Sequence, residues 1–249
     1  MAGSRSVSKA KKSKKPSAEQ EESKWLDLFS IFIHDLESPL ASMKYILKLL
    51  EEKRLDLDKP LHRRMVESSN IAVQRAESIL YDIMAVARSQ TAGLPINMTS
   101  LVPEVIIKES ILLAAGSANE NNNEITFTNN AGSTAVGADP QLLKRVLDNL
   151  IFNAIRHTPS GRTVAIYTEP TEESVFIHVK DSGQGLGDID TSKLFDKYGQ
   201  AELRQEKKHR GVGLGLYFCR LAATGMGGTI IADDHPVGGA VFSIRLKKI

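Results

Sequence analysis

Residues 139–161 read Asp139-Pro140-Gln141-Leu142-Leu143-Lys144-Arg145-Val146-Leu147-Asp148-Asn149-Leu150-Ile151-Phe152-Asn153-Ala154-Ile155-Arg156-His157-Thr158-Pro159-Ser160-Gly161. An aspartate followed by proline is an N-cap and a favoured first-turn residue, so a helix is predicted to open here. It runs to about His157, where Thr158-Pro159-Ser160-Gly161 stops it. Leu143, Val146, Leu147, Leu150 and Ile151 form its apolar part. Asn149 and Asn153 stand four residues apart and share another face, which Arg156 and His157 extend toward the C-terminal end. Neutral amide oxygens are hard ligands suited to a magnesium ion that keeps several waters and bridges phosphates. A guanidinium beside them would neutralise phosphate charge. By itself, a solvated helix face reads the same way.

Downstream, two glycine motifs follow in order. Asp181-Ser182-Gly183-Gln184-Gly185 comes directly after a strand ending at Lys180. An acid at a strand end followed by glycines lets backbone approach a flat ligand, while the carboxylate accepts from an exocyclic amine such as that of adenine. Alone, this is an ordinary turn. Gly211-Val212-Gly213-Leu214-Gly215-Leu216 then opens a helix reaching about Ala223. Glycine-rich backbone at a helix N-terminus binds phosphate through free amides and the helix dipole. The rival dinucleotide fingerprint fails, because it belongs in the first strand-turn-helix of a parallel fold. Between the motifs, Gly199 to Arg210 carries Arg204, Lys207, Lys208, His209 and Arg210. That stretch reads as a basic lid over a polyphosphate or as a solvated loop.

Around these motifs lie a helix at 101–115, a strand Ile125–Thr128, and β-branched or alternating strands at Thr163–Thr168, Val175–Val179, Thr229–Ala232 and Val241–Leu246. The mixture predicts a two-layer α/β sandwich over 101–249. Ala92-Gly93-Leu94-Pro95 breaks the helical pattern upstream, and 92–100 is read as a linker. Before it, Leu26, Phe29, Ile33, Leu36, Leu40, Met43, Leu47 and Leu50 alternate steps of three and four, a helical-bundle seam. A polar break from Arg54 to Lys59 precedes Pro60, and a second periodic stretch continues to about Ser89. The antiparallel helical hairpin over 24–91 cannot close a core alone, so a homodimeric four-helix bundle is expected.

The ends of the composition are less informative. Residues 1–17 hold six cations and no acid, leaving 26 basic against 30 acidic residues, a body at −4. The tail over 1–23 has little apolar content to bury and reads as disordered. Neither a membrane span of ~18 apolar residues nor a secretory signal is present in this sequence. Cys219 is the single cysteine, which excludes an internal disulfide framework and a multi-cysteine zinc site. A cytoplasmic protein without membrane span or direct nucleic-acid binding is expected.

One segment of the hairpin carries chemistry. His34 follows seam residue Ile33 and so points off the bundle core, and Asp35, Glu37, Ser38 and Pro39 come after it. A proline inside a helix costs about 3 kcal/mol through a lost amide and a clash with the carbonyl four residues back. That carbonyl belongs to Asp35. On its own the segment also fits a surface histidine beside a tolerated proline.

In order, these segments resemble the transmitter region of sensor histidine kinases, a family whose GHKL-type ATPase domain is shared with gyrase, a heat-shock chaperone and the MutL mismatch-repair proteins. His34 to Leu40 looks like the family's H box, Asn149 to Pro159 its N box, Asp181 to Gly185 and Gly211 to Leu216 its two glycine boxes, and Phe195-Asp196-Lys197-Tyr198 its aromatic box. The likeness covers about residues 24–249. It implies an ATP-dependent kinase that autophosphorylates His34, with Asp35 as proton acceptor, and relays the phosphate to an aspartate of a response regulator receiver domain. Asn153 would bind Mg2+, and Asn149 and Arg156 would meet the phosphates. His157 stands where a tyrosine often packs near the nucleotide, and Asp181 would hold the adenine amine. Gly183, Gly185, Gly211, Gly213, Leu214, Gly215 and Leu216 would line the ATP cleft.

Two positions depart from the family pattern. Glu37 stands where a basic residue is usual, and Ser38 where threonine or asparagine is common. The latter position helps hold water in members that also dephosphorylate their partner, so the resemblance leaves that activity undecided. Rival readings are a non-signalling ATPase of the same superfamily and a catalytically silent dimeric scaffold that senses nucleotide and recruits a regulator. No sensor domain precedes the bundle here, so input is expected from a separate sensor protein, the N-terminal segment or a region upstream of this sequence.

Overall fold

Hydrophobic period and capping divide the chain into a helical hairpin and an α/β unit. The computed structural model describes residues 33, 36–37, 39–89, 94–196 and 214–249. Helix α1 covers residues 39–51. It ends as Lys53 takes a left-handed φ of 51° and the amide of Arg54 bonds back to the Leu49 carbonyl at 2.9 Å. Helix α2, Pro60–Ser89, begins at the predicted proline. Its Ser69 hydroxyl donates to the Ser42 carbonyl of α1 at 3.5 Å. The Asp56 amide donates to His62 Nδ1 at 2.9 Å, closing the turn.

The heptad stripe is not the contact between the two helices of one hairpin. Ile46, Leu49 and Ala76 are buried, whereas Leu40, Leu47 and Leu50 of the heptad series are exposed. Helix α1 therefore carries two apolar stripes, and the heptad stripe is the one left uncovered within the chain. Leu61, Leu80 and Met84 of α2 are exposed as well.

The second unit follows in the order β1 (Thr99–Leu101), α3 (Pro103–Glu120), β2 (Glu124–Asn129), β3 (Val136–Ala138), α4 (Pro140–His157), β4 (Thr163–Pro170), β5 (Ser174–Lys180), α5 (Thr191–Leu194), α6 (Leu214–Gly225), β6 (Thr229–Asp234) and β7 (Ala240–Lys247). Five strands form a mixed sheet in the order β2-β4-β5-β7-β6. The β2–β4 pair is parallel and the others antiparallel. Val164 and Ile166 of β4, Val175, Ile177 and Val179 of β5, and Ile244 and Leu246 of β7 alternate onto one face. There they share a core with Ile107 and Ala114 of α3, Leu143, Val146, Leu147, Leu150 and Ile151 of α4, and Phe218 and Ala222 of α6. This is the expected α/β sandwich. On the opposite face Tyr167, His178 and Phe176 stack, with Tyr167 and His178 ring centroids 4.5 Å apart.

The 92–100 linker requires correction. Thr99 and Ser100 belong to β1, which pairs antiparallel with β3. Leu94 and Ile96 pack against the core, and the Asn97 amide donates to Asp139 Oδ2 at 2.7 Å. The α/β unit thus includes residues from 94 onward. Three-residue strands have too few positions to show a period of two, so neither β1 nor β3 was visible in the pattern.

Candidate functional site

Helix α4 is fixed at both ends before any site chemistry enters. Asp139 Oδ1 accepts from the amides of Gln141 and Leu142 at 2.9 and 3.0 Å, the predicted N-cap. At the other end the Thr158 amide closes on the Ala154 carbonyl at 2.9 Å. Arg156 and His157 lie in the last turn, where positive charge suits the helix dipole. Asn149 and Asn153 are half-buried on this helix. The Asn153 side-chain amide makes no hydrogen bond among the described residues.

Gly183 of the first glycine motif and Gly215 of the second come to rest against α4. A Cβ at Gly183 would stand 2.5 Å from the His157 carbonyl oxygen, so only glycine permits that approach. A Cβ at Gly215 would lie 3.6–3.7 Å from the Asn149 amide atoms, which places the start of α6 directly against the asparagine face. Gly183 and Gly215, more than thirty residues apart in sequence, are thereby brought to one helix.

Asp181 is buried at 3% exposure. Its Oδ1 accepts from the amides of Gly183 at 2.8 Å and Ala240 at 3.1 Å. Its Oδ2 takes no hydrogen bond among the described residues. Its backbone amide donates to the Ala240 carbonyl at 3.0 Å. Ser182 adds two ties, its amide to Thr158 Oγ1 at 3.2 Å and its hydroxyl to the Thr163 carbonyl at 2.6 Å. A buried carboxylate with one oxygen engaged and the other open is suited to accept from an outside N–H donor.

The glycines also answer to contacts within the chain. Gly183 accommodates the His157 carbonyl. Gly185 has φ +78°, and a Cβ there would stand 2.5 Å from Asp234 Oδ1. Sequence reasoning missed Asp234. Its Oδ1 accepts from the Leu186 amide and its Oδ2 from the Gly187 amide, the latter at 3.1 Å. Gly239, with φ +83°, lies so close to the Asp181 carbonyl that any side chain would collide with it. An acid at the end of a strand, 53 residues beyond Asp181, offers no local signal of such a contact.

Of the remaining expected residues, Leu216 is buried in the core, Leu214 opens α6, and Arg156 is exposed. His34, Asp35, Ser38, Gly211 and Gly213 lie outside the described residues, as does the basic stretch from Gly199 to Arg210. Among the described residues no cluster of three or more His, Cys, Asp or Glu side chains could hold a metal ion. No described helix is long and apolar enough to cross a membrane.

Comparisons with known proteins bear on the sequence and the fold. Residues 138–249 match the family described as histidine kinase-, DNA gyrase B- and HSP90-like ATPase. The adaptive-response sensory kinase SasA of a Synechococcus strain is 26% identical over 88% of this chain and 58% of its own length. The chain spans between 24% and 58% of the length of the first such relatives. Among solved structures, the catalytic domain of histidine kinase ThkA is 27% identical with a TM-score of 0.55, covering 61% of this chain and 97% of that domain. The fold is also shared with ThkA in its complex with the response regulator TrrA, at TM-score 0.59 and 20% identity, over 93% of this chain and 64% of that one. Residues 138–249 thus resemble the ATPase domain of the histidine kinase-, DNA gyrase B- and HSP90-like family, and the chain is similar in sequence and fold to sensor histidine kinases and their catalytic domains.

Proposed function

We propose that this chain is an ATP-dependent protein histidine kinase that phosphorylates His34 and passes the phosphate to an aspartate of a response regulator. The observation that carries the reading is the meeting of Gly183 and Gly215 on α4, beside a buried Asp181 with an open oxygen. In this reading Asp181 Oδ2 accepts from the adenine amine. Asn149, Arg156 and the amides at the start of α6 meet the phosphates. Asn153, half-buried and with an uncommitted amide, fits a ligand for Mg2+. The ion, when bound, would neutralise phosphate charge.

Phosphoryl transfer asks the protein mainly for alignment and charge neutralisation. One ring nitrogen of neutral His34 attacks the γ-phosphorus of ATP, and the bond to the departing ADP oxygen breaks in line. Asp35 accepts the proton from the other ring nitrogen, which raises the nucleophilicity of the attacking one. The exposed heptad stripe of Leu40, Leu47 and Leu50 supports a homodimer, since a second hairpin would cover it. The response regulator solved with the structurally similar ThkA supports a receiver domain as partner. Signal input would come from a separate sensor protein or from another region of a longer chain.

Incubation with γ-labelled ATP and magnesium tests the proposal. The expected product is a phosphoprotein that is acid-labile and alkali-stable, and Asn153→Asp should abolish it. Absent label with nucleotide still bound would favour the silent scaffold. Undiminished turnover in Asn153→Asp would remove that residue from the site.

A further inference from the structure

The segment from Asp181 to Gly187 should be loose by composition. It contains three glycines, and Gly185 and Gly187 both hold positive φ, at +78° and +57°. Such backbone has a large ordering entropy. One hairpin holds both of its ends. At the near end, the Ala240 amide donates to Asp181 Oδ1 and the Ala240 carbonyl accepts from the Asp181 amide, while Gly239 packs on the Asp181 carbonyl. At the far end, the Asp234 carboxylate receives the amides of Leu186 and Gly187. The hairpin turn between Asp234 and Ala240 is itself closed by the His235 amide on the Gly239 carbonyl and the Gly238 amide on the His235 carbonyl, both 2.8 Å.

Asp234 is exposed and lies outside the buried core, so its carboxylate is not a packing element. An ionised acceptor for two consecutive amides makes charge-assisted bonds, stronger than neutral ones. Those bonds set the path of the loop leaving Asp181, and Leu186 and Ile189 then lean on the core.

We propose that Asp234 is a positioning residue for nucleotide binding: by capping the Leu186 and Gly187 amides it holds the Asp181 loop in its binding shape before ligand arrives. The proposal rests on the reading of residues 138–249 as a nucleotide-binding unit. Asp234 touches neither substrate nor metal and acts through the loop. Its removal raises the ordering cost of binding and leaves the transfer step itself unaltered.

The test compares the full chain with Asp234→Ala and Asp234→Asn, using Mg-ADP titration, hydrogen exchange and labelling rates. Loss of two charge-assisted bonds should weaken ADP binding about tenfold in Asp234→Ala, the size of effect of one such interaction. The Leu186 and Gly187 amides should exchange faster. The labelling rate at saturating ATP should hold while the ATP needed for half-saturation rises. Asp234→Asn keeps amide-oxygen acceptance and should recover much of the affinity. Wild-type binding of Mg-ADP with unchanged affinity in Asp234→Ala would overturn the positioning role alone. A loss of affinity that tracks a fall in unfolding temperature, with no selective change at the two amides, would also overturn it. Failure of the wild-type chain to bind Mg-ADP would overturn the nucleotide reading and this role together.

Discussion

The α/β unit and the helical hairpin use leucines to opposite ends. In α4, Leu143, Leu147 and Leu150 are 0% exposed, covered by sheet and neighbouring helices of the same chain. In α1, Leu40 and Leu47 are 56% and 59% exposed, although their heptad spacing is as regular. The first unit finishes its own core. The second presents an apolar stripe whose burial needs another surface. Site and scaffold are thereby separated: the proposed nucleotide-binding residues stand on a self-contained frame, and the hairpin presents a stripe that a partner copy would cover.

The largest effect should come from the self-contained side. Leu150→Ala removes a fully buried side chain and should destabilise the α/β unit by about 3 kcal/mol, read as a lowered urea midpoint. A change below about 0.5 kcal/mol, typical of surface sites, would show that the α4 core is not closed. Next is the cap. Asp139→Ala removes acceptors for Gln141, Leu142 and Asn97 and should cost about 1–2 kcal/mol. Because it unties residue 97 as well, amide exchange should rise near β1 along with the first turn of α4.

On the hairpin side, the paired change Leu40→Glu and Leu47→Glu should leave the α/β unit's melting transition in place. Sedimentation should nonetheless shift from dimer to monomer. An unchanged dimer would show that the exposed stripe is not the interface. The smallest effect is a pH dependence on the sheet's open face. His178 is held below its ordinary value of 6.5, first by burial, against the opposing pull of Glu169. Above that value the ring is neutral in both states. As pH falls through it, the unfolded chain takes a proton before the folded one does, so the stability contribution declines. Urea midpoints at pH 7.5 and 5.5 should therefore differ, and His178→Gln should reduce the difference. An equal difference in the variant would assign the pH dependence to other groups.

Much of this was legible in the sequence where a pattern repeats within one element. Asp139-Pro140 and the apolar period located α4 and its start, and Pro60 located α2. The alternation in β5 was equally readable. The heptad residues were found too, but spacing alone could not say which of the two stripes on α1 faces α2. That choice depends on Ile46 and Leu49 packing inside the hairpin. Strands β1 and β3 lack the length for a period. Asp234 escaped notice because its partners, Leu186 and Gly187, lie 48 and 47 residues away and meet it only in the folded chain. The same is true of Gly239 and Asp181. Asp181 itself was visible as an acid before glycines, whereas the bonds that orient it come from a distant hairpin.

The central claim is that the nucleotide unit phosphorylates the hairpin at His34. The most direct measurement is labelling of the full chain by γ-labelled ATP beside the variant His34→Gln, with ADP binding measured on both. The account predicts acid-labile label on the wild type, none on His34→Gln, and equal ADP affinity. Acid-labile label persisting in His34→Gln would contradict it.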